Sequence, residues 1–276
     1  MNIQNSMMAL NASRTLTSSQ MALMKSLEKL SSGQRINRAG DDAAGLAISE
    51  KMRAQAKGLE TAIRNAQDGI SLVQTAEGAL TEVHSMLNRM TELATQASNG
   101  IFSDSDREAL NFEFQALKSE VDRISSSTNF NGTNLLDGNL SAANGGMNLQ
   151  VGDTADPNNI VNVGINDMGT NGLGLKDINI SSLESAQAAL GTIRDAVNSV
   201  STQRASLGAI QNRQEHNINN LFVTIENITA AESRIRDMDM AKGMMDFSKN
   251  NILMQAGQAM LAHSNMASQS VVNLLR

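Results

Sequence analysis

The stretch that decides the fold is residues 59–97, LETAIRNAQDGISLVQTAEGALTEVHSMLNRMTELATQA. Leu59, Ile63, Ala66, Ile70, Val73, Ala76, Leu80, Val83, Leu87, Met90, Ala94 and Ala97 recur at alternating steps of three and four, and every one is apolar. That spacing keeps one face of an α-helix apolar over many turns, as helices packed along a seam require. One repeated three-residue step, at Val73–Ala76, is a phase slip that such packing absorbs. Extended to 42–98, the helix would be roughly 85 Å long at 1.5 Å per residue. Gly45, Gly58, Gly69 and Gly78 lie inside it. Each would cost about 1 kcal/mol relative to Ala in an isolated helix, so the helix needs partners, and the glycines mark close helix approach or bending.

Working outward, residues 1–33 read as a helix of low charge with Leu16, Leu23, Leu27 and Leu30 near a heptad seam and Gln20 at the missing position. Gly33 suits a left-handed helix end, and Asp41-Asp42 suits the N-cap of the long helix. Asn99-Gly100 ends that helix. Ser105 with Glu108 reads as a capping box, and Leu110, Phe114, Leu117, Val121 and Ile124 continue the spacing on an antiparallel return helix. Residues 131–182 are rich in Asn and Gly and hold the chain's one Pro, Pro157. Met147–Val151 and Ile160–Ile165 alternate as a small hairpin, in an insert too small and polar for a core of its own.

A second long helix begins near Ser181 and Glu184, read as another capping box. Leu190, Ile193, Val197, Val200, Leu207, Ile218, Leu221, Ile225, Ile228 and Ile235 keep its seam, interrupted by Arg204, Gln211, Gln214 and Glu232. Residues 245–276 close the chain with a low-charge helix striped by Leu253, Ala256, Met260, Ala267 and Leu274. The expected fold is mainly α: a long antiparallel, coiled-coil-like helical bundle with a small β-hairpin insert. Its segments are 1–40, 41–130, 131–182, 183–236 and 237–276. The two terminal helices must lie near each other if the long helices pair antiparallel. Each then carries an apolar stripe that waits for other subunits.

Composition narrows the function. The 276 residues are 41% hydrophobic, yet Trp and Tyr are absent, Phe numbers 6 and Met numbers 17. Large rings normally build an enzyme's core and pocket. With no Cys there is no disulfide, thiolate metal site or cysteine nucleophile. His84, His216 and His263 are far apart in sequence, and no phosphate-loop, nucleophile-elbow or dinucleotide pattern occurs. The reading is no enzyme, no cofactor and no metal. A net charge of −6 argues against nucleic acid, and no run of 18 apolar residues marks a membrane span. The N-terminus has no apolar secretion-signal core. Charge is uneven: residues 1–60 hold 8 basic against 5 acidic groups, 100–182 hold 4 against 11, and 233–276 hold 5 against 3. Two polar clusters, 31–42 and 230–240, stand at the junctions of long and terminal helices. They read either as capping and interhelix ion pairs or as charge-complementary subunit contacts through Arg234, Arg236, Asp237 and Asp239.

These residues resemble bacterial flagellin, the filament protein of the flagellum. The resemblance lies in LEKLSSGQRIN (27–37), DDAAGLAI (41–48), NAQDGISLVQTAEGAL (65–80) and FNGTNLL (130–136). In the C-terminal half it lies in QNRQEHNINNL (211–221), ENITAAESRIRDMDMA (226–241) and the final LLR. It implies a secreted, extracellular subunit that assembles with other copies of itself into a helical filament, the terminal helices forming the filament core. It implies export through the flagellar type III apparatus with an export chaperone, and contact with cap and junction proteins. Only 131–182 stands where larger flagellins carry outer domains. It further implies recognition by the vertebrate innate flagellin receptor through LNRMTELATQ (87–96), with Arg89, Leu93 and, on the return helix, Glu113 as contacts. A hook–filament junction protein and a helical signalling hairpin remain as alternatives. For assembly itself the candidates are Leu16, Leu23, Leu27, Leu30, Arg234, Arg236, Asp237, Asp239, Leu253, Met260 and Leu274.

Overall fold

The structure, a computed structural model, describes the backbone of residues 7–141 and 144–274 and the side chains up to Met266. Ala267 and Leu274 of the last stripe therefore lie outside the described side chains. Helices α1 (Met7–Ser32), α2 (Ala43–Ala97) and α3 (Asp104–Ser127) come first. Two hairpins follow, β1 (Asn129–Phe130) with β2 (Thr133–Asn134) and β3 (Met147–Gln150) with β4 (Ile160–Val163). Helices α4 (Leu183–Arg236) and α5 (Met240–Leu274) complete the chain. It divides into two compact units: Lys57–Ile225, and Met1–Ala56 together with Glu226–Arg276.

In the Lys57–Ile225 unit the seam of α2 is the core. All twelve seam positions are buried except the half-buried Ile70, and Leu80 through Ala97 are wholly so. The return helix α3 lies antiparallel to α2: Arg107 reaches the carbonyl of Ala97 at 2.9 Å, and Arg89 reaches Glu113 at 2.8 Å. Helix α4 is antiparallel as well, for Arg204 meets Glu77 at 3.6 Å while Ile210 and Ile218 pack at Ala66. The capping boxes fall a residue or two from the expected ones. Ser103 pairs with Asp106, its hydroxyl accepting from the Asp106 N–H and the Asp106 carboxylate from the Ser103 N–H. Ser182 pairs with Ser185 in place of Ser181 with Glu184. The sequence offers more than one Ser at each place, and at α3 the cap is Ser103, where the chain is extended.

The insert has no core of its own, yet it fills the bundle's. Leu135, Leu136, Val163, Ile165, Leu175 and Ile180 are wholly buried in the same cluster as the seam of α2. The first hairpin turns at Asn131 and Gly132, both at positive φ (50° and 80°), as a two-residue turn between right-twisted strands demands. Between the hairpins and α4 the backbone has few regular partners, and side chains of α3 take their place. The Asn111 side-chain Oδ1 accepts from the Ile180 N–H (3.1 Å), and the Gln115 side-chain amide donates to the Ile178 carbonyl (3.2 Å). Lys118 donates to the Lys176 carbonyl. Asp122 accepts from the N–H and hydroxyl of Thr170 (both 2.8 Å), and Ser125 donates to the Leu136 carbonyl (2.8 Å). These five residues follow steps of 4, 3, 4 and 3, each one residue beyond the apolar stripe of α3.

Two of the four α2 glycines, Gly58 and Gly69, meet the insert and not another helix. A Cβ on Gly69 would stand 2.4 Å from Leu149 Cδ1 of β3, and one on Gly58 would stand 3.1 Å from Asp153 Cβ. Nothing lies within 4 Å of a Cβ placed on Gly78. Gly78→Ala should therefore stabilise the unit by the full helix-propensity difference, about 1 kcal/mol. Gly69→Ala should gain less or lose, because Leu149 must move. Denaturant midpoints of the two variants, followed by circular dichroism on the monomer, check the ordering.

Candidate functional site

In the second unit α1 and α5 run antiparallel. Leu30 lies by Gly243, Ser26 accepts a hydrogen bond from Asn250 (3.0 Å), and Leu16 lies by Gly257. The residues of α1 turned to α5 are Ala12, Leu16, Ser19, Leu23, Ser26 and Leu30, a strict alternation of four and three, all half-buried. From α5 the inner face is Gly243, Phe247, Asn250, Met254, Gly257, Leu261 and Ser264, equally regular. Gly, Asn and Ser interrupt it, so a search for apolar periodicity settles on the other side of the helix. A Cβ on Gly243 would come 2.4 Å from Met238 Cε and 3.1 Å from Leu30 Cδ2, which shows how closely the two helices approach at that end.

Each helix keeps a second apolar face. No residue of α1 is fully buried. Met21 and Met24 are 62% and 72% exposed and Leu10 is 61% exposed; at about 100° per residue Met21 and Leu10 stand opposite the inner stripe and Met24 stands to one side of them. Leu27, 55% exposed, flanks them. On α5 Leu253 and Met260 are also exposed, and Met244, Met245, Ile252 and Leu253 line an open groove with Ser248 and Lys249. Leu16, Leu23 and Leu30 are therefore spent on the α1–α5 pair within the chain, whereas Leu253 and Met260 stand on the surface left uncovered. Leu274 lies outside the described side chains.

The two polar clusters at the helix junctions meet. Gly33, at φ +70°, ends α1. Gln34 then bridges Asp237, with Arg35 N–H donating to the Arg236 carbonyl (2.7 Å) and Met238 N–H to the Gly33 carbonyl (3.0 Å). The Arg35 guanidinium caps the last turn of α4 at the Ile235 carbonyl (2.6 Å). Arg236, 9% exposed, holds Glu50 of α2 at 2.5 Å, and Arg53 faces Glu232 at 3.9 Å. The Arg236 guanidinium keeps the Glu50 carboxyl below its ordinary range. Asp237 accepts from the Ser233 hydroxyl (2.7 Å), and Asp239 is the N-cap of α5, accepting from the Ala241 and Lys242 N–H groups. Three of the four charges singled out in 230–240 are thus engaged inside the chain. Arg234 is exposed and lines a groove with Lys25, Lys29, Arg35 and Lys242, partly balanced by Asp237, Asp239 and Asp246.

Asp42 caps α2 by accepting from the Gly45 N–H (2.9 Å), as the sequence suggests. Its neighbour Asp41 closes the 33–42 loop instead, accepting from the Asn37 and Arg38 N–H groups and from Lys25 at 2.7 Å. The Lys25 ammonium, aided by those N–H groups and opposed by partial burial, holds the Asp41 carboxyl at about 2 against an ordinary 3.8.

Of the residues that the resemblance linked to receptor contact, Arg89 and Glu113 are half-exposed and paired to each other at 2.8 Å, with Glu92 on the other side of the guanidinium at 2.9 Å. Both carboxylates hold the Arg89 charge more firmly. Leu93 is wholly buried in the bundle core of the single chain. Among the described residues no three His, Asp or Glu side chains converge as metal ligands, and no helix is long and apolar enough to cross a membrane.

Residues 3–141 match the bacterial flagellin N-terminal helical region, and residues 179–275 match the bacterial flagellin C-terminal helical region. The chain is 50% identical over 306 residues to a flagellin of Bacillus subtilis, covering 100% of both chains. It is 46% identical over 286 residues to the flagellar filament 33 kDa core protein of Treponema phagedenis, covering 99% of each. The crystal structure of a Bacillus cereus flagellin aligns at a TM-score of 0.49 and 32% identity, over 57% of this chain and 88% of that one.

The loop at 33–42 generates a pH prediction. A carboxyl held low in the folded state stabilises it fully above the unfolded pKa, and that contribution is lost as pH falls from 3.8 towards about 2. Asp41→Asn should weaken the folded chain at neutral pH, and the gap to wild type should close across that window. Urea midpoints measured from pH 7 to pH 2 test it: a constant gap would remove Asp41 from the account.

Proposed function

The chain belongs to the bacterial flagellin family and is a structural subunit of the extracellular flagellar filament, not an enzyme; from that premise we propose how its surfaces divide the work of assembly. The outward faces of α1 and α5 are the contact with other copies. The observation that carries this is the double-sidedness of both helices: one stripe closes the α1–α5 pair, and the other, with Met21, Met24, Leu253 and Met260, has nothing over it in the single chain. Burying such side chains contributes about 1.5–3 kcal/mol each, enough in sum to drive polymerisation.

Arg234 and the basic groove around it contribute register more than affinity. The groove carries five cations against three carboxylates, and residues 100–182 of every other copy carry a surplus of acid. To the same proposal we add export through the flagellar type III apparatus with a chaperone, and contact with cap and junction proteins, which family membership supports.

Removing residues 1–30 or 245–276 should leave a helical, cooperatively melting Lys57–Ile225 unit that no longer polymerises. Heat-dissociated full chain, cooled with seeds, should give long filaments by sedimentation and negative-stain electron microscopy. Normal filaments from either truncation would sink the assignment of the outward faces. A full chain that stops at a short ring or dimer would favour a junction protein.

A second surface, the Arg89–Glu113 pair, is our candidate contact for the vertebrate innate flagellin receptor. It is half-exposed and charged, and Glu92 on the other side of the guanidinium helps to hold Arg89 in place. Arg89→Ala should lower receptor activation by monomer about tenfold or more, as truncating an interface arginine does, with helicity unchanged. Equal potency of the variant and wild type in a reporter-cell assay would remove this surface from consideration.

A further inference from the structure

The outward faces of the terminal helices are built from one side chain out of proportion. Among the described residues, thirteen large apolar side chains are exposed on α1 and α5, and nine of them are methionine. In the Lys57–Ile225 unit the exposed large apolar residues are Ile101, Phe112, Leu183, Phe222 and Val223, with no methionine. The inner face of α1, from Ala12 to Leu30, contains no methionine either, and α5 adds only the half-buried Met254. Within the bundle core Met90 and Met168 are 0% and 3% exposed. Thioethers are thus concentrated on the surface that must be dry in the polymer and wet in the free chain. The other seven methionines with described side chains are buried or half-buried within the fold.

Methionine is the apolar side chain that water-borne oxidants convert to a polar one. The thioether sulfur attacks one oxygen of hydrogen peroxide, and an S–O bond forms as the O–O bond breaks. Sulfur gives up two electrons to become the sulfoxide, and peroxide leaves as water. The product is polar and chiral, and methionine sulfoxide reductases reverse it. On a face whose role is to be buried, each sulfoxide carries an acceptor that then has to be satisfied or kept in water.

We propose that the outward methionines of α1 and α5, represented by Met21, Met24, Met244, Met245 and Met260, are a modification site that makes assembly sensitive to peroxide. The free chain, oxidised there, keeps its Lys57–Ile225 bundle but does not add to a filament. Reduction by the reductases, with a dithiol as the two-electron donor that ends as a disulfide while the sulfoxide oxygen leaves as water, restores it, and incorporation into a filament closes the site to the oxidant. The inference rests on the assembly reading above and deepens it.

The test uses the full-length monomer with and without a peroxide dose that converts these five side chains, mapped by peptide mass spectrometry. A Leu variant at all five positions is run in parallel, since Met and Leu exchange with little change of volume. Seeded growth of the treated wild type should slow about tenfold or more, with far-UV circular dichroism unchanged, and should recover after incubation with the two reductases. The Leu variant should grow equally well with and without peroxide, and preformed wild-type filaments should oxidise more slowly at the five positions. Treated wild type that grows at the untreated rate with all five converted overturns the proposal. So does a treated Leu variant that fails as the wild type does, or a loss of helicity that accompanies the loss of growth. If the Leu variant fails to grow even untreated, recovery of the oxidised wild type by the reductases decides, and no recovery counts against it. Untreated wild type that does not grow at all sinks the assembly reading instead.

Discussion

One constraint governs the terminal half of this molecule: an apolar helix needs cover on more than one side, and α1 and α5 have only each other. A pair of helices in isolation buries one stripe from each, and two-helix contacts of small side chains such as Gly243, Gly257, Ser19 and Ser26 leave little area to offset the entropy of ordering some sixty residues. On the assembly reading proposed above, the remaining cover comes from further copies. Folding of the ends and growth of the filament are then one thermodynamic event, and the absence of any fully buried residue in α1 is its signature. Helices that completed their own core would have no reason to polymerise.

The junction between long and terminal helices follows from the same need. A pair held by few buried contacts must be aimed by other means. The paired segments 33–35 and 236–238, the Arg236–Glu50 contact and the Asp41 loop closure supply direction through hydrogen bonds and charge. These bonds sit at the roots of both terminal helices, where a small change in angle is carried along the whole length of α1 and α5.

Much of this was legible in the sequence because helical periodicity is a long-range signal. The α2 seam runs through twelve positions, and the structure buries nearly all of them. The chain's return upon itself and the β3–β4 hairpin followed from the same kind of counting. What periodicity could not show was satisfaction of polar groups. The stripe Asn111, Gln115, Lys118, Asp122 and Ser125 is as regular as any apolar stripe, yet a polar face of a helix reads as solvent-facing unless the insert is known to lie on it. Arg107 is a similar case. It is a nearly buried guanidinium that binds the Ala97 and Asn99 carbonyls and Asp104, and nothing in its sequence neighbours separates it from an exposed charge. The glycines of α2 announced a close approach but not its partner, since a helix and a hairpin both demand a missing Cβ. On α5 the apolar count chose the face that stays exposed, because the face that packs is made of small and polar residues.

The ladder from α3 to the insert also bears on where this chain can change length. Its anchor points are the Leu136 carbonyl at one end and Thr170, Lys176, Ile178 and Ile180 at the other. Between 136 and 170 the path is set by a hairpin resting on α2 and by Gln203, which binds the Gly164 carbonyl. Turns in that span can therefore take on extra sequence while both ends stay stitched to the same helix. The 306-residue alignment with the Bacillus subtilis relative, against 276 residues here, shows that length does vary within the family. A foreign epitope spliced into such a turn would be carried on a mount whose attachment does not depend on the passenger.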